Sequence, residues 1–411
     1  MSAFEWILLG WVGLVFVLWM YGLVVVFRIR GDEQLRIQPS PDHALSDKDT
    51  SVTILVAAHN EEAAIEACIR CLLEQNYGNL RVLIANDRST DRTSDRTREI
   101  MGRDRRVQLT EIDELPSGWI GKTHALHVAA SPVESDYLLF MDCDCRLVHG
   151  ALAAVMEKVV RERLEFLTLW PWLDLKSVWE KLVSLASLWF LGLWALLDAR
   201  GRQRSELRVG SGQFLLMERA AYRKLGGHAA VRAELAEDAR FACMAAEQGL
   251  RRWSGYGTGL YYSTRDNKLT TALNALTRVF IGSLVAPWKM LLSPFLLAGG
   301  YVAPLVIGPL GLYVALAQGS GVGWVIVALA AITYSMMIVA LRRVFRDFIR
   351  VGGSEAFFPI GALLCTLAVL RAFLVMIGLG KVRWGATRYA VKGSCVTETP
   401  SRTPGSAASG A

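Results

Sequence analysis

The chain has 411 residues, 53% of them hydrophobic, and its 45 Lys and Arg outnumber its 38 Asp and Glu to give a formal net charge of +7. That length holds one large catalytic domain plus membrane segments, or a few ordinary domains, and the apolar fraction favours the first arrangement. The positive balance does not indicate nucleic acid: Arg28, Arg30, Arg342, Arg343, Arg346, Arg350, Lys381 and Arg383 all flank apolar runs, a placement that suits anionic headgroups, and no interleaved basic and aromatic stretch occurs elsewhere.

The first element is an uncharged run from Trp6 to Phe27. A bilayer core takes roughly 20 helical residues per crossing, so the run fits one span. Glu5 precedes it, no basic residue does, and no small-residue cleavage site follows, so it reads as an anchor over residues 1–30 and not as a leader. Arg28 and Arg30 follow directly, which predicts an outside N-terminus and a cytoplasmic domain over residues 31–285.

From Ser51 the domain alternates apolar β-rich runs (Val52 to Ala57, Leu80 to Ala85) with polar turns and a helix, the pattern of a βαβ unit with a buried parallel sheet. Open α/β sheets bind ligands at the carboxyl ends of their strands, so His59, Asn60, Glu61, Asn86 and Asp87 are the first candidates. Cys68 and Cys71 form a CxxC inside the intervening helix, but no second pair accompanies them and the seven cysteines show no disulfide spacing; packing is the expected role. A third strand ends in "YLLFMDCDCRL", Tyr137 to Leu147. Alternation puts Asp142 and Asp144 on one face and Cys143 on the other. Carboxylate oxygens suit Mg²⁺ or Mn²⁺, whereas thiolates select softer ions. Two aspartates capping a strand turn remain the plain alternative.

Five motifs follow one another in order: "NDRSTDRT", "GWIGKTHAL", "DCD", "VGSGQFLLM" and "ELAEDARFACMAAEQGLR". With them the sequence resembles the family-2 glycosyltransferases of GT-A fold, in particular membrane-anchored bacterial ones of hopanoid, carotenoid or other lipid pathways. The resemblance runs from about Val52 to Leu260 and extends to the flanking spans. It implies an α/β fold with a mixed sheet and helices on both faces. It further implies that Asp87 receives the uracil or ribose of a nucleotide-sugar, with the His59, Asn60, Glu61 turn on the other side of the base and Lys122 lining the pocket. Asp144 would bind Mg²⁺ or Mn²⁺ directly, Asp142 would assist at the ribose or through water, and Gly210, Ser211 and Gly212 would lie under the donor sugar or the acceptor. Asp238, preceded by Glu237, matches the family's catalytic base, and a single displacement would invert the anomeric centre. Two departures stand out: "AAHNEE" lacks the proline common before the strand-end motif, and "NALTRVF" lacks the Gln and Trp of the QxxRW motif. The second argues against processive polymerisation and leaves Arg278 as a residual phosphate contact in the acceptor region. His124 and His127 lie on one probable helix face with no third ligand in view.

Leu182 to Leu197 is an uncharged stretch inside the catalytic domain, and a crossing there would put Asp144 and Asp238 on opposite sides of the bilayer. With its tryptophans it predicts an interfacial helix near residues 178–198. In residues 286–392, the uncharged run from Met290 to Leu341 fits two spans, with a hairpin at "QGSGVG". Ala356 to Gly380 carries Arg371, and a crossing there would put four basic residues outside; it is therefore expected to be re-entrant or to lie along the cytoplasmic interface, the alternative being a fourth span with Arg371 facing other helices. That returns Trp384 and Tyr389 to the catalytic side, bordering the acceptor entrance. Residues 393–411 lack apolar periodicity and read as a disordered tail. The expected activity is transfer of a sugar from a nucleotide-sugar, a UDP-sugar first, to a membrane lipid or lipid-linked acceptor at the bacterial inner membrane. A nucleotidyltransferase would need a Gly-rich, basic loop where this chain has "AAHNEEAAI". An inactive membrane scaffold would have no need of Asp144 or Asp238, and both are present.

Overall fold

The computed structural model describes residues 2–29, 37, 50–198, 210–265, 268–284, 286–346, 348–350, 352–384, 387–393 and 395–398. The first apolar run is a single helix, α1 (Ala3–Ile29). The α/β part opens with β1 (Val52–Ala58), α2 (Ile65–Leu73), β2 (Leu80–Asp87), α3 (Thr93–Met101), β3 (Val107–Ile112) and α4 (Gly121–Ala130). Next come β4 (Tyr137–Asp142), β5 (Cys145–Leu147), α5 (Ala151–Glu162), β6 (Phe166–Trp170), β7 (Trp172–Leu175) and α6 (Val178–Asp198). It closes with β8 (Leu215–Glu218), α7 (Arg219–Lys224), α8 (Gly227–Ala230), α9 (Glu237–Glu247), β9 (Arg252–Tyr256) and β10 (Tyr261–Arg265).

Seven strands form one mixed sheet in the order β3-β2-β1-β4-β8-β6-β9, with β8 antiparallel to both neighbours. Helices cover both faces, which is why β1 is buried along its length: Ile54 and Val56 enter one core, Leu55 the other. A second sheet, β5-β10-β7, sits beside the DCD turn. Because β1, β2 and β4 run parallel, their carboxyl ends open on one edge, and the candidate residues of three motifs meet there.

The C-terminal region contains α10 (Leu269–Ser283), α11 (Pro287–Leu297), α12 (Ala303–Ala317), α13 (Gly321–Phe345) and α14 (Phe358–Met376), then β11 (Val382–Trp384), β12 (Thr387–Lys392) and β13 (Cys395–Glu398). Among the described residues, four helical stretches are long and apolar enough to cross a membrane: Ala3–Val24, Pro287–Ala317, Gly321–Phe345 and Ser354–Met376. The second is interrupted by a π-helical turn at Ala298–Val302. Pro304 has no N–H to offer the Gly300 carbonyl one turn earlier. The indole of Trp19 donates to that carbonyl and the indole of Trp11 to that of Gly299, each at 3.1 Å, so α1 satisfies the backbone groups the break frees.

The hydroxyl of Ser320, between α12 and α13, donates to the Glu5 carboxylate, which puts the start of α1 and that turn at one end of the helix group. At the other end Leu173 donates to the carbonyl of Phe348, at 2.6 Å, just after α13. α14 leaves the catalytic domain there and comes back to it, since Val396 N–H donates to the carbonyl of Ala233 at 2.8 Å. Between these points α14 packs lengthwise on α6 and α10; Gly361 lies against the Leu182 backbone and Arg371 donates to Asn274 at 2.6 Å.

One expectation is corrected. The tail does not lose its order at residue 393: Cys395–Glu398 forms a strand paired with β12, with Val396 buried in the core shared with the membrane helices. A single short strand has too little apolar periodicity to announce itself, and its contacts beyond β12, at Ala233 and Glu234, lie far away in the chain. Residues 399–411 fall outside the described residues.

Candidate active site

The turn after β1 and the turn after β2 are laced together. Asn60 adopts φ 57° and accepts from Thr90 N–H at 2.8 Å, and its own N–H donates to Ser89 at 2.9 Å. Glu61 N–H donates to Thr93, at 2.9 Å, and Glu62 N–H to Asp91, at 3.0 Å. The second aspartate of "NDRSTD" is thus a structural clip. Asn86 is buried and gives its amide to Ser94 and Glu111, so it serves the α3 side and not the cleft. His59 bonds the backbone carbonyl of Asp87 through Nδ1.

Asp87 is buried and held by the next residue. Arg88, at a left-handed φ of 52°, folds back so that its Nε and Nη2 reach the two carboxylate oxygens at 2.7 and 3.0 Å. Gly121 opens α4 against this carboxylate; a Cβ there would stand 2.3 Å from Asp87 Oδ2. Sequence reasoning missed Arg88 and Gly121, although both sit inside quoted motifs, because neither residue type signals a ligand contact by itself.

Lys122, one residue into α4, joins two motifs. Its ammonium lies 2.7 Å from Asp142 and 2.8 Å from Glu237. Burial opposes its charge, but the two carboxylates outweigh that and hold its pKa well above the ordinary lysine value. Asp238 stands beside Glu237 at the start of α9, where its carboxylate accepts from Gly212 N–H at 2.6 Å and from Ala239 N–H at 2.8 Å. Burial and the neighbouring charge of Glu237 push its pKa up to about 6, against the pull of Lys122 and the two N–H donors. The glycine loop therefore packs on Asp238 and bonds its carboxylate. A Cβ on Gly210 would meet the Asp238 carbonyl at 2.3 Å, Ser211 is buried on Thr168, and Gly212 alone faces Lys122, Glu237 and Asp238.

The DCD turn separates oxygen from sulfur as alternation predicts. Cys143 is buried in the core with Cys68, while Asp142 and Asp144 are half-buried on the open side. Asp144 accepts from Ser263 at 3.0 Å and from the Cys145 thiol at 3.4 Å. Arg146 clamps the turn by donating to the carbonyls of Cys143 and Cys145, each at 2.7 Å, and of Ala64 at 3.0 Å. Burial, and then the charges of Asp144, Asp142 and Asp91, push Glu61 up to about 7. Negative charge is therefore in excess around Asp144, and its donors are hard oxygens, which fits a divalent cation. Among the described residues no group of three or more His, Cys, Asp and Glu side chains is close enough to hold an ion unaided, so water or substrate oxygens would complete the shell.

The remaining candidates lie elsewhere. Arg278 donates to the carbonyl of Arg383 at 3.0 Å, tying α10 to β11. Trp384 ends β11, and its side chain is outside the described residues. Tyr389 is buried on β12, where its phenol oxygen accepts from Gly121 N–H at 3.4 Å, beside Lys122 in the chain. His124 and His127 pack on Trp119, with ring centroids 5.3 and 4.9 Å away.

Comparison with known proteins agrees with this layout. The glycosyl transferase family 2 domain matches residues 53–226, which contain β1 through β8, the DCD turn and the glycine loop. The chain is 31% identical over 114 residues to 4,4'-diaponeurosporenoate glycosyltransferase of Staphylococcus haemolyticus, covering 28% of this chain and 29% of that protein. It is 31% identical over 108 residues to teichoic acid poly(glycerol phosphate) polymerase of Staphylococcus epidermidis, covering 26% of this chain and 14% of that one. The match thus spans less than a third of the length of either relative. Among solved structures, the mannosyltransferase PcManGT of Pyrobaculum calidifontis superposes with a TM-score of 0.53 at 16% identity, covering 88% of this chain and 99% of that chain, which shows a shared fold. With this sheet and these carboxylates in place, residues 53–226 form a glycosyl transferase family 2 domain.

Proposed function

We propose that the protein transfers one sugar from a nucleotide-sugar, a UDP-sugar first, to a membrane lipid or lipid-linked acceptor, with inversion at the anomeric carbon. The observation that carries this reading is the Lys122 bridge, which brings the metal-type carboxylate Asp142 and the base motif Glu237–Asp238 to one point. Asp87 binds the nucleoside, using the lone pairs that Arg88 leaves open. Asp144, with Asp142, holds Mg²⁺ or Mn²⁺, which when bound neutralises charge on the diphosphate leaving group. Asp238 takes the proton of the acceptor hydroxyl, and the Gly212 N–H aims its carboxylate. Glu237 is committed to Lys122 and keeps that ammonium in place.

Support comes from the relatives' names: PcManGT is in complex with GDP-Man and Mn²⁺, and the Staphylococcus haemolyticus protein is a 4,4'-diaponeurosporenoate glycosyltransferase. The membrane region supports a cytoplasmic catalytic side at the bacterial inner membrane. In this reading α1, the α11–α12 pair and α13 cross the bilayer, while α14 lies along the interface with both flanks on the catalytic domain. The turn after β1, "AAHNEEAAI", has no Gly-rich, basic loop to cradle a triphosphate, which disfavours nucleotidyl transfer.

The test uses the full chain in lipid nanodiscs with a panel of UDP- and GDP-sugars and Mn²⁺ or Mg²⁺, reading nucleotide release with and without bacterial lipid extract. Release that rises with lipid supports the proposal. Release of pyrophosphate from a nucleoside triphosphate instead, or no release from any donor, would sink it.

A further inference from the structure

The small sheet β11-β12-β13 touches the catalytic domain at both ends of the Lys122 bridge. On one side Tyr389 meets Gly121, the residue before Lys122. On the other, Val396 N–H donates to the carbonyl of Ala233, and Cys395 pairs with Glu234 just upstream of Glu237. Arg278 fastens the same sheet to α10. A strap that only covered a surface would need no phenol at its buried contact, yet the hydroxyl of Tyr389 is delivered to the spot where Gly121 and the Asp87–Arg88 pair converge.

We propose that Tyr389 is a positioning residue for the nucleoside half of the donor, acting through the Asp87–Arg88 pair. The chemistry is local. Its phenol oxygen accepts from Gly121 N–H and from the Thr387 hydroxyl, so its own O–H is a donor directed to the next acceptor. Both Asp87 and Arg88 bear on the phenol electrostatically, and burial holds its pKa above the ordinary tyrosine value, so it stays a neutral donor at physiological pH. Arg88 keeps its inward fold only in a left-handed backbone conformation that non-glycine residues seldom adopt, and neighbours on every side must hold such a geometry. Tyr389 supplies the wall that the α/β domain lacks there. Residues after the last membrane helix thus set how Asp87 presents its free lone pairs to a nucleoside.

This inference rests on Asp87 being the nucleoside ligand of the proposed transferase. Tyr389→Phe keeps the ring and the β12 packing and removes only the hydroxyl. In full-length protein in nanodiscs it should raise the donor KM and the Kd for Mn²⁺ with UDP or GDP alone by about 5- to 10-fold, the scale of one hydrogen bond, with kcat within about twofold. Tyr389→Phe in an Arg88→Ala background should add less than about twofold, because the effect passes through the pair. Unchanged donor KM and nucleotide Kd in a folded Tyr389→Phe protein would overturn the proposal, as would a full, independent effect without Arg88. The Kd arm needs no sugar transfer, so it fails or succeeds separately from the transferase reading.

Discussion

Lys122 and Glu237 are joined across the site by a 2.8 Å ion pair, although one lies in the first turn of α4 and the other opens α9. The ammonium also lowers the pKa of the adjacent Asp238. Lys122→Met should therefore do two things. Turnover should fall on the order of 10²-fold as the preorganised charge is lost, and the acid limb of the pH–rate profile should move upward. A profile that falls in height but keeps its midpoint would mean that Lys122 supports donor binding without tuning the base.

In the proposed reaction Asp238 supplies the pH dependence itself. A carboxylate base works only when unprotonated, and its pKa is raised to about 6, so activity is present above that value and is lost as pH falls through it. Asp238→Asn should reduce turnover by roughly 10²- to 10⁴-fold with nucleotide affinity unchanged. The pH–rate profile and calorimetric titration with UDP together check the assignment; lost UDP affinity in a folded protein would make Asp238 a donor ligand.

The oxygen and sulfur atoms of the DCD turn should behave differently. Asp144→Ala should abolish Mn²⁺-stimulated nucleotide release. Cys143→Ser should retain most of it, since that thiol faces the core, and Cys145→Ser should too, since a hydroxyl can donate to Asp144 as the thiol does. Metal titrations of nucleotide release in the three variants compare them directly.

Gly210→Ala tests the glycine loop without touching a charge. The new methyl would meet the Asp238 carbonyl at 2.3 Å, so the loop or the start of α9 must shift. Overpacking of this kind costs about 1–3 kcal/mol. Turnover should drop at least tenfold along with a lower melting temperature, while Gly78→Ala, where nothing lies within 4 Å of the added atom, should be close to neutral.

Topology is checked with single cysteines on a background lacking the native ones. Gln318→Cys, in the turn between α12 and α13, should react in intact cells with an impermeant reagent. Lys392→Cys, on β12, should not, because the strand docks on the catalytic domain. Labelling of Lys392→Cys from outside would make α14 a true fourth crossing.

The α/β part was legible because period and position agree: buried strands end in polar turns, and alternation alone separated Asp142 and Asp144 from Cys143. What could not be read were contacts between distant segments. Nothing in "VGSGQF" says that its last glycine amide points at Asp238, and nothing in "TRYAVK" says that the tyrosine reaches Gly121. Nor does the sequence of α14 say that it runs along α6 and α10, with the Arg371 guanidinium on Asn274.

The two indoles of α1 that bond the Gly299 and Gly300 carbonyls also bear on how the chain is made. α1 leaves the ribosome before its partners at the π-helical turn, which follow only after the whole α/β domain, roughly tens of seconds later at usual synthesis rates. Until then Trp11 and Trp19 await the carbonyls they bond, and α1 is an unfinished half of a joint. A generic apolar helix of equal length could tether the chain but could not close its membrane region.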